Sequence, residues 1–251
     1  MKRSEPSSLL TRNKIPVPPE EVQSQGYLDA VTAFARLTYE SVYVIDYATM
    51  GFEYVSENPL FLCGHTPEEV IQMGYNFYFN NVPAADLELL HLVNEAGFDF
   101  YDRLPAAEKT QYSIAYDFHL LQPGLRPILI NHKLTPLLLT RSGKMWKSMC
   151  IVSVSPHQEA GNVVIHKHAS PEYWTLDTIN RHWQKSVKPQ LSARETEVLR
   201  LYAQGLTISQ IAEKLFVVPD TVKYYRRKIF ENFGVNNIVA ALAYAVHHKL
   251  L

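Results

Sequence analysis

Pro219-Asp-Thr221-Val-Lys-Tyr-Tyr-Arg-Arg-Lys228-Ile-Phe-Glu-Asn-Phe233-Gly234 decides the fold of the C-terminal part of this chain. A helix advances about 100° per residue, so Val222, Ile229 and Phe233 share one face. Asp220, Lys223, Tyr224 and Arg227 point the other way. Pro219 suits the first turn, where its missing amide donor has no partner to lose. Gly234 stops the helix. The stretch thus reads as a helix with one apolar and one basic face.

Neighbouring segments read as helices too. Upstream, Ser192 with Glu195 is a capping box, followed by Val198, Leu199 and Leu201 as a buried side and Gly205 as a stop. Thr207 with Gln210 is a second box, and Ile208, Ile211, Ala212 and Leu215 follow at helical spacing. Downstream, Asn236 is placed to cap a fourth helix over Ile238 to His248. His247, His248 and Lys249 sit at its negative end. Four short helices with a basic third are the layout of a helix-turn-helix DNA reader. Long donors on the third helix reach base edges in a major groove, and Arg226 and Lys228 flank them for phosphates.

Residues 190–251 resemble the LuxR/GerE-type helix-turn-helix domain of bacterial transcription regulators. The match runs through Leu191, Arg194, Glu195, Glu197, Val198, Leu199, Gly205, Ile211, Ala212, Leu215, Thr221, Val222, Lys223, Gly234 and Val235. The resemblance implies base contacts at Lys223, Tyr224 and Arg227, with Arg226, Lys228 and Thr221 completing the DNA-binding set. Three positions depart from the family pattern. Val218 stands where a Ser or Thr cap is usual, Tyr225 replaces a frequent His, and Ile238 replaces a frequent Arg. A missing cap costs about 1 kcal/mol, and a phosphate hydrogen bond goes with it.

The 251 residues suffice for one large or two modest domains. Of 24 Lys/Arg and 25 Asp/Glu, eight and five fall from Leu191 onward. The C-terminal part is therefore basic and the rest mildly acidic, which places DNA on the former. Two cysteines, Cys63 and Cys150, lie among apolar residues and suggest a reduced compartment. No run of about eighteen apolar residues suggests a membrane span. The N-terminus lacks a signal-peptide apolar core. A cytoplasmic protein with no membrane partner is expected.

Residues 1–25 read as a flexible leader ending in Pro16-Val-Pro-Pro19. Helical spacing follows over Tyr27–Tyr39, then strands at Val42–Asp46 and Phe52–Ser56. Asn58–Gly64 is a short helical segment. Thr66-Pro-Glu-Glu69 is a capping box, and Pro83-Ala-Ala-Asp86 opens a longer helix. Three strands come next, Tyr112–Leu121, Ile128–Leu139 and Lys144–Val154, with turns at Pro123-Gly124 and Ser142-Gly143.

This order resembles a PAS sensor domain over residues 26–156. Ile45-Asp46, Gly51, the strand Phe52–Val55, Asn58, Gly64, Thr66–Glu69, and Val82-Pro83 with Asp86 carry the likeness. It implies a five-stranded antiparallel sheet with helices cupping one face, around a pocket for a small molecule. A ligand-free dimerisation or protein-interaction module is the alternative, and a haem or redox sensor a third. The ligand itself is unknown from sequence. Flavin photosensors of this fold carry a cysteine where Phe77 stands, in Gly74-Tyr-Asn-Phe-Tyr-Phe79, which argues against a light-driven adduct. A haem sensor would bind its iron through His91, on the long helix. The rings of Tyr75–Phe79 line an apolar pocket or fill the core.

Residues 157–189 read as a β-hairpin and linker: two β-like runs, Gly161–His168 and Tyr173–Asp177, then Arg181–Val187. His157, His166, His168 and His182 match no metal-ligand spacing. Catalytic motifs are missing as well: Gly-x-Ser-x-Gly, a phosphate-binding glycine loop and His-Glu-x-x-His. The fold expected is α+β: a PAS-like antiparallel sheet with helices on one face, then an all-α four-helix domain at 190–251. The function expected is a homodimeric transcription regulator of double-stranded DNA. Ala241 and Ala245 on the alanine-rich fourth helix are the expected dimer contact.

Overall fold

A computed structural model describes residues 26–188, 190–247 and 250–251, with no side-chain detail at 247. The expected leader at 1–25 and the basic end at His248 and Lys249 lie outside the described residues. The chain divides into two compact units, the first ending at Ser186 and the second running Val187–Leu251.

The first unit opens with helix α1 (Gly26–Leu37), then strands β1 (Ser41–Asp46) and β2 (Gly51–Val55). Four helices follow: α2 (Pro59–Leu62), α3 (Pro67–Met73), α4 (Asn76–Asn81) and α5 (Ala84–Asp102). A 3₁₀ turn at Ala106–Gln111 leads to β3 (Tyr112–Leu120), β4 (Ile128–Leu139) and β5 (Met145–Val154). Local chemistry sets these starts. The Asn58 side chain accepts from the Leu60 amide at 3.0 Å, and Thr66 and Glu69 form the full capping box.

The strands pair antiparallel in the order β2-β1-β5-β4-β3. With helices α2–α5 against one face, this is the PAS-like α+β architecture. Tyr43 and Ile45 of β1 face those helices in the main core, which includes Phe61, Phe77 and Phe118. Pro136 sits inside β4, and the register to β5 slips between it and Leu138. A residue without an amide donor is tolerated at such an irregularity. Cys63 caps α2 in the left-handed region at φ 51°, and Gly64 follows at φ +86°. A Cβ there would come within 2.7 Å of Pro123, so the position admits only glycine.

Two features depart from the expected five strands with helices on one face. First, α1 covers the opposite face, where Val31 packs on Val42 and Val44. A half-exposed sheet would alternate, whereas β1 is buried along five of its six residues. The contact is pinned by buried Lys147, whose Nζ lies 2.7 Å from both Glu53 oxygens, 3.6 Å from Asp46 Oδ2 and 3.1 Å from the Tyr27 hydroxyl. The Tyr27 hydroxyl also donates to Glu53. Second, the segment read as hairpin and linker continues the same sheet. Strands β6 (Gly161–Lys167), β7 (Glu172–Asp177) and β8 (His182–Val187) add in order beside β3, giving eight strands.

Among its described residues the second unit has four helices: α6 (Ala193–Ala203), α7 (Ile208–Leu215), α8 (Pro219–Phe233) and α9 (Ile238–His247). Both expected capping boxes are present, at Ser192 with Glu195 and Thr207 with Gln210. Gly234 caps α8 at φ 66°, its amide bonded to Phe230 and Glu231 carbonyls. The cap of α9 is Asn237 and not Asn236, because Asn237 Oδ1 accepts from the Ala240 amide at 2.9 Å. Val235 is still tied to the α8 end through the Phe230 carbonyl at 3.0 Å, so the new helix starts one residue later. Val198, Leu199, Ile211, Val222, Ile229 and Phe233 make the core.

Candidate functional site

Helix α8 presents its polar side as the sequence pattern requires. Burying Val222, Ile229 and Phe233 turns Asp220, Lys223, Tyr224 and Arg227 outward. A shallow groove is lined by Asp220, Lys223, Tyr224, Arg226, Arg227 and Phe230. Of the six expected DNA-binding residues, this groove gathers Lys223, Tyr224, Arg226 and Arg227. Lys228 stands beside it, its Nζ 5.1 Å from the Tyr224 ring centre. Thr221 is half-buried and its amide bonds the Val218 carbonyl at 3.0 Å.

The cations are held in place by their own helix. Lys223 Nζ pairs with Asp220 at 2.8 Å, and Arg227 Nε with Glu231 at 3.8 Å. Each is an exposed i,i+3 or i,i+4 pair, worth only a few tenths of a kcal/mol. They preset the side chains without holding them back from a stronger partner. The Asp220 carboxyl is lowered by its bond to Lys223, and the Lys228 ammonium is raised by its bond to Tyr224. Arg227 lies 5.9 Å from the Tyr224 ring centre, so that ring stands between two cations. Val218 begins α8 with no side-chain cap and is 64% exposed. Pro219 brings no amide to this end and the Thr221 amide is taken by the Val218 carbonyl, so the helix starts without a side-chain cap but with little left to cap.

The expected dimer contact is corrected. Ala241 and Ala245 have no exposed surface and pack into the core of their own unit. Small residues permit close approach, and here the approach is internal. The outward side of α9 is instead Val239, Ala243 and Val246.

The first unit has a small, half-open cavity of about 40 Å³ lined by Tyr47, Val93, Gly97, Tyr101, Tyr116 and Met145 among others. That exceeds the roughly 10–15 Å³ a single water needs. The Tyr101 hydroxyl at its wall is buried without a hydrogen-bond partner. Beside it runs a chain that the sequence reading missed. The Tyr43 hydroxyl is 2.8 Å from the Tyr78 hydroxyl and 2.6 Å from His132 Nε2. The His132 ring lies tilted against Tyr116, with ring centres 4.7 Å apart, and its Nδ1 is unpartnered. Burial pushes His132 down to about 3, so it is neutral, and raises Tyr43, Tyr78 and Tyr116 well above the usual phenol. The available signal was strand alternation, since Ile130, His132 and Leu134 share a face.

Phe77 is fully buried in the same core, Cys63 is pushed up to about 12 by burial, and Cys150 is raised too. His91 on α5 is partly buried with Nδ1 unpartnered. His157 pairs with buried Asp117 at 2.6 Å, and His182 with Asp177 at 4.0 Å. Among the described residues no three His, Cys, Asp or Glu side chains converge as a metal site. No single described helix is long and apolar enough to cross a membrane.

The family of bacterial regulatory proteins, luxR family, matches residues 189–245. The probable transcriptional regulatory protein NarL of Mycobacterium tuberculosis (strain ATCC 25618 / H37Rv) is 30% identical over 176 residues, covering 67% of this chain and 80% of that protein. The crystal structure of the Vibrio cholera VqmA-Ligand-DNA complex is 18% identical, with a TM-score of 0.34, covering 91% of this chain and 89% of that one. A PAS domain from Colwellia psychrerythraea is 13% identical, with a TM-score of 0.35, covering 52% and 95%. The α8 groove, the capped four-helix core and the NarL relationship agree, and the chain belongs to the luxR family of bacterial transcription regulators.

Proposed function

We propose that this regulator reads duplex DNA as a homodimer under control of a small molecule held in its PAS-like unit. The observation that carries the reading is the α8 groove, where Lys223, Tyr224 and Arg227 stand exposed together above a packed core. Lys223 and Arg227 suit guanine O6 and N7 in a major groove, and Tyr224 presents a hydroxyl between them. Arg226 and Lys228 hold phosphates, and the Thr221 hydroxyl supports the start of the helix. Asp220 and Glu231 release their partners as DNA replaces them.

Two copies meet through the outer side of α9, where Val239 and Val246 are 73% and 68% exposed. Pairing buries this apolar stripe and fixes the half-site spacing. The sensed molecule enters at Tyr47, Tyr101 and Tyr116, where the Tyr101 hydroxyl lacks a partner, and widens a cavity that at about 40 Å³ lies well under the roughly 300 Å³ of an ordinary ligand pocket. The protein acts by binding and not by catalysis, in the cytoplasm. A second reading, an interaction module with an empty core, draws support from how little volume the cavity has.

Selection of bound duplexes from a randomised pool tests the DNA reading. Recovery of a two-fold symmetric motif is expected. Recovery of unenriched sequence would overturn it.

A further inference from the structure

Helix α5 carries two adjoining stripes with different neighbours. Val93, Gly97 and Tyr101 line the cavity. Ala96 and Phe100 meet the last strands of the sheet. The Phe100 ring centre is 5.3 Å from Trp174 on β7 and 5.5 Å from Trp183 on β8. Trp183 Nε1 donates to the Ala96 carbonyl at 3.2 Å. Arg181, in the turn before β8, reaches Glu95 at 4.0 Å.

β8 also pairs with β7, where Lys185 meets Glu172 at 2.5 Å and lies 5.5 Å from the Trp174 ring centre, but its contact with α5 runs through Trp183 and the turn at Arg181. Only Trp183 and Ser186 of the strand are partly covered, and Trp183 is its one large apolar side chain. The strand ends at Val187, which is also the first residue of the DNA-binding unit. Trp183 is bonded to the backbone of α5, so it follows the helix axis and not a side-chain rotamer. On the cavity side a Cβ at Gly97 would meet Ile114 Cδ1 at an ordinary 3.5 Å, so one methyl fits there and a larger side chain must push the helix.

We propose that Trp183 is a positioning residue coupling occupancy of the sensor cavity to the DNA-binding unit: a molecule against Gly97 and Tyr101 shifts α5, and the Trp183–Ala96 bond carries that shift into β8 and the chain leaving it. This rests on the sensor reading of the cavity.

The test uses full-length protein and duplexes recovered from a randomised pool. Gly97→Ala and Gly97→Leu fill the cavity in place of a ligand, and thermal melts confirm that each variant folds. Filling is expected to change the DNA Kd by about fivefold or more. In a Trp183→Ala background the same filling should change it by less than about twofold. Trp183→Phe, which keeps the ring but loses the donor, should fall between. An undiminished change in Trp183→Ala would overturn the relay and leave the sensor cavity standing. No change on filling in either background would overturn both.

Discussion

The Tyr43 hydroxyl lies 2.6 Å from His132 Nε2, deep in the core between the sheet and helices α2–α5. This places a neutral imidazole where water cannot solvate its charged form. His132 falls from its ordinary 6.5 to about 3 in the folded chain because it is buried. The folded state therefore resists a proton that the unfolded state takes up. The contribution is fully present above about pH 6.5 and is lost as pH falls toward 3. Urea midpoints of wild type and His132→Gln, compared at pH 7 and pH 5, should converge on acidification. The slope difference approaches about 1.4 kcal/mol per pH unit below 6.5. Parallel curves would contradict the buried neutral His132.

Val218 offers α8 no side-chain cap, and Val218→Ser should supply one. Urea unfolding is expected to show a gain of at most about 1 kcal/mol. The hydroxyl should also tighten DNA binding in an anisotropy titration. Ser192→Ala removes half of a capping box already formed and should cost a similar amount.

Val246→Glu and Val239→Glu place charge on the exposed side of α9. Analytical ultracentrifugation should show a shift from dimer to monomer with the fold intact by circular dichroism. Ala241→Leu should instead leave the pairing surface unchanged and destabilise the unit itself. It overfills a closed core and should cost about 1–3 kcal/mol of stability. A soluble monomer from Ala241→Leu with unchanged melting would contradict the packing.

Arg226 and Lys228 are assigned to phosphates. Replacing either with Ala should weaken binding to all sequences alike and lower the salt slope by about one. A changed motif with an unchanged slope would move that residue to the base-reading set.

The C-terminal unit was legible because its determinants are local. Ser192 with Glu195 and Thr207 with Gln210 satisfy amides three residues away, so spacing alone places the helix starts. The direction of Lys223 and Arg227 follows from the same helical period as Val222 and Ile229. What depends on distant partners was not legible. Strands β6–β8 join the sheet through pairing of β6 with β3, some fifty residues earlier in the chain. The cover of α1 over Val42 and Val44 depends on Lys147 of β5 meeting Glu53 and Tyr27. Ala241 and Ala245 misled for a related reason, since a small residue suits an internal helix contact as well as an external one. His132 was overlooked because it reads as polar, although it alternates with Ile130 and Leu134.

The central claim, that α8 reads DNA with Lys223 and Arg227, is tested most directly by fluorescence anisotropy. Wild type and Lys223→Ala/Arg227→Ala are titrated against the duplex selected by wild type, at one fixed salt concentration. Each lost bidentate contact is worth about 1–3 kcal/mol, so the double variant should bind at least about thirtyfold more weakly. It should keep the wild-type melting temperature. An affinity within about twofold of wild type, with the fold intact, would contradict the assignment of α8 as the reading helix.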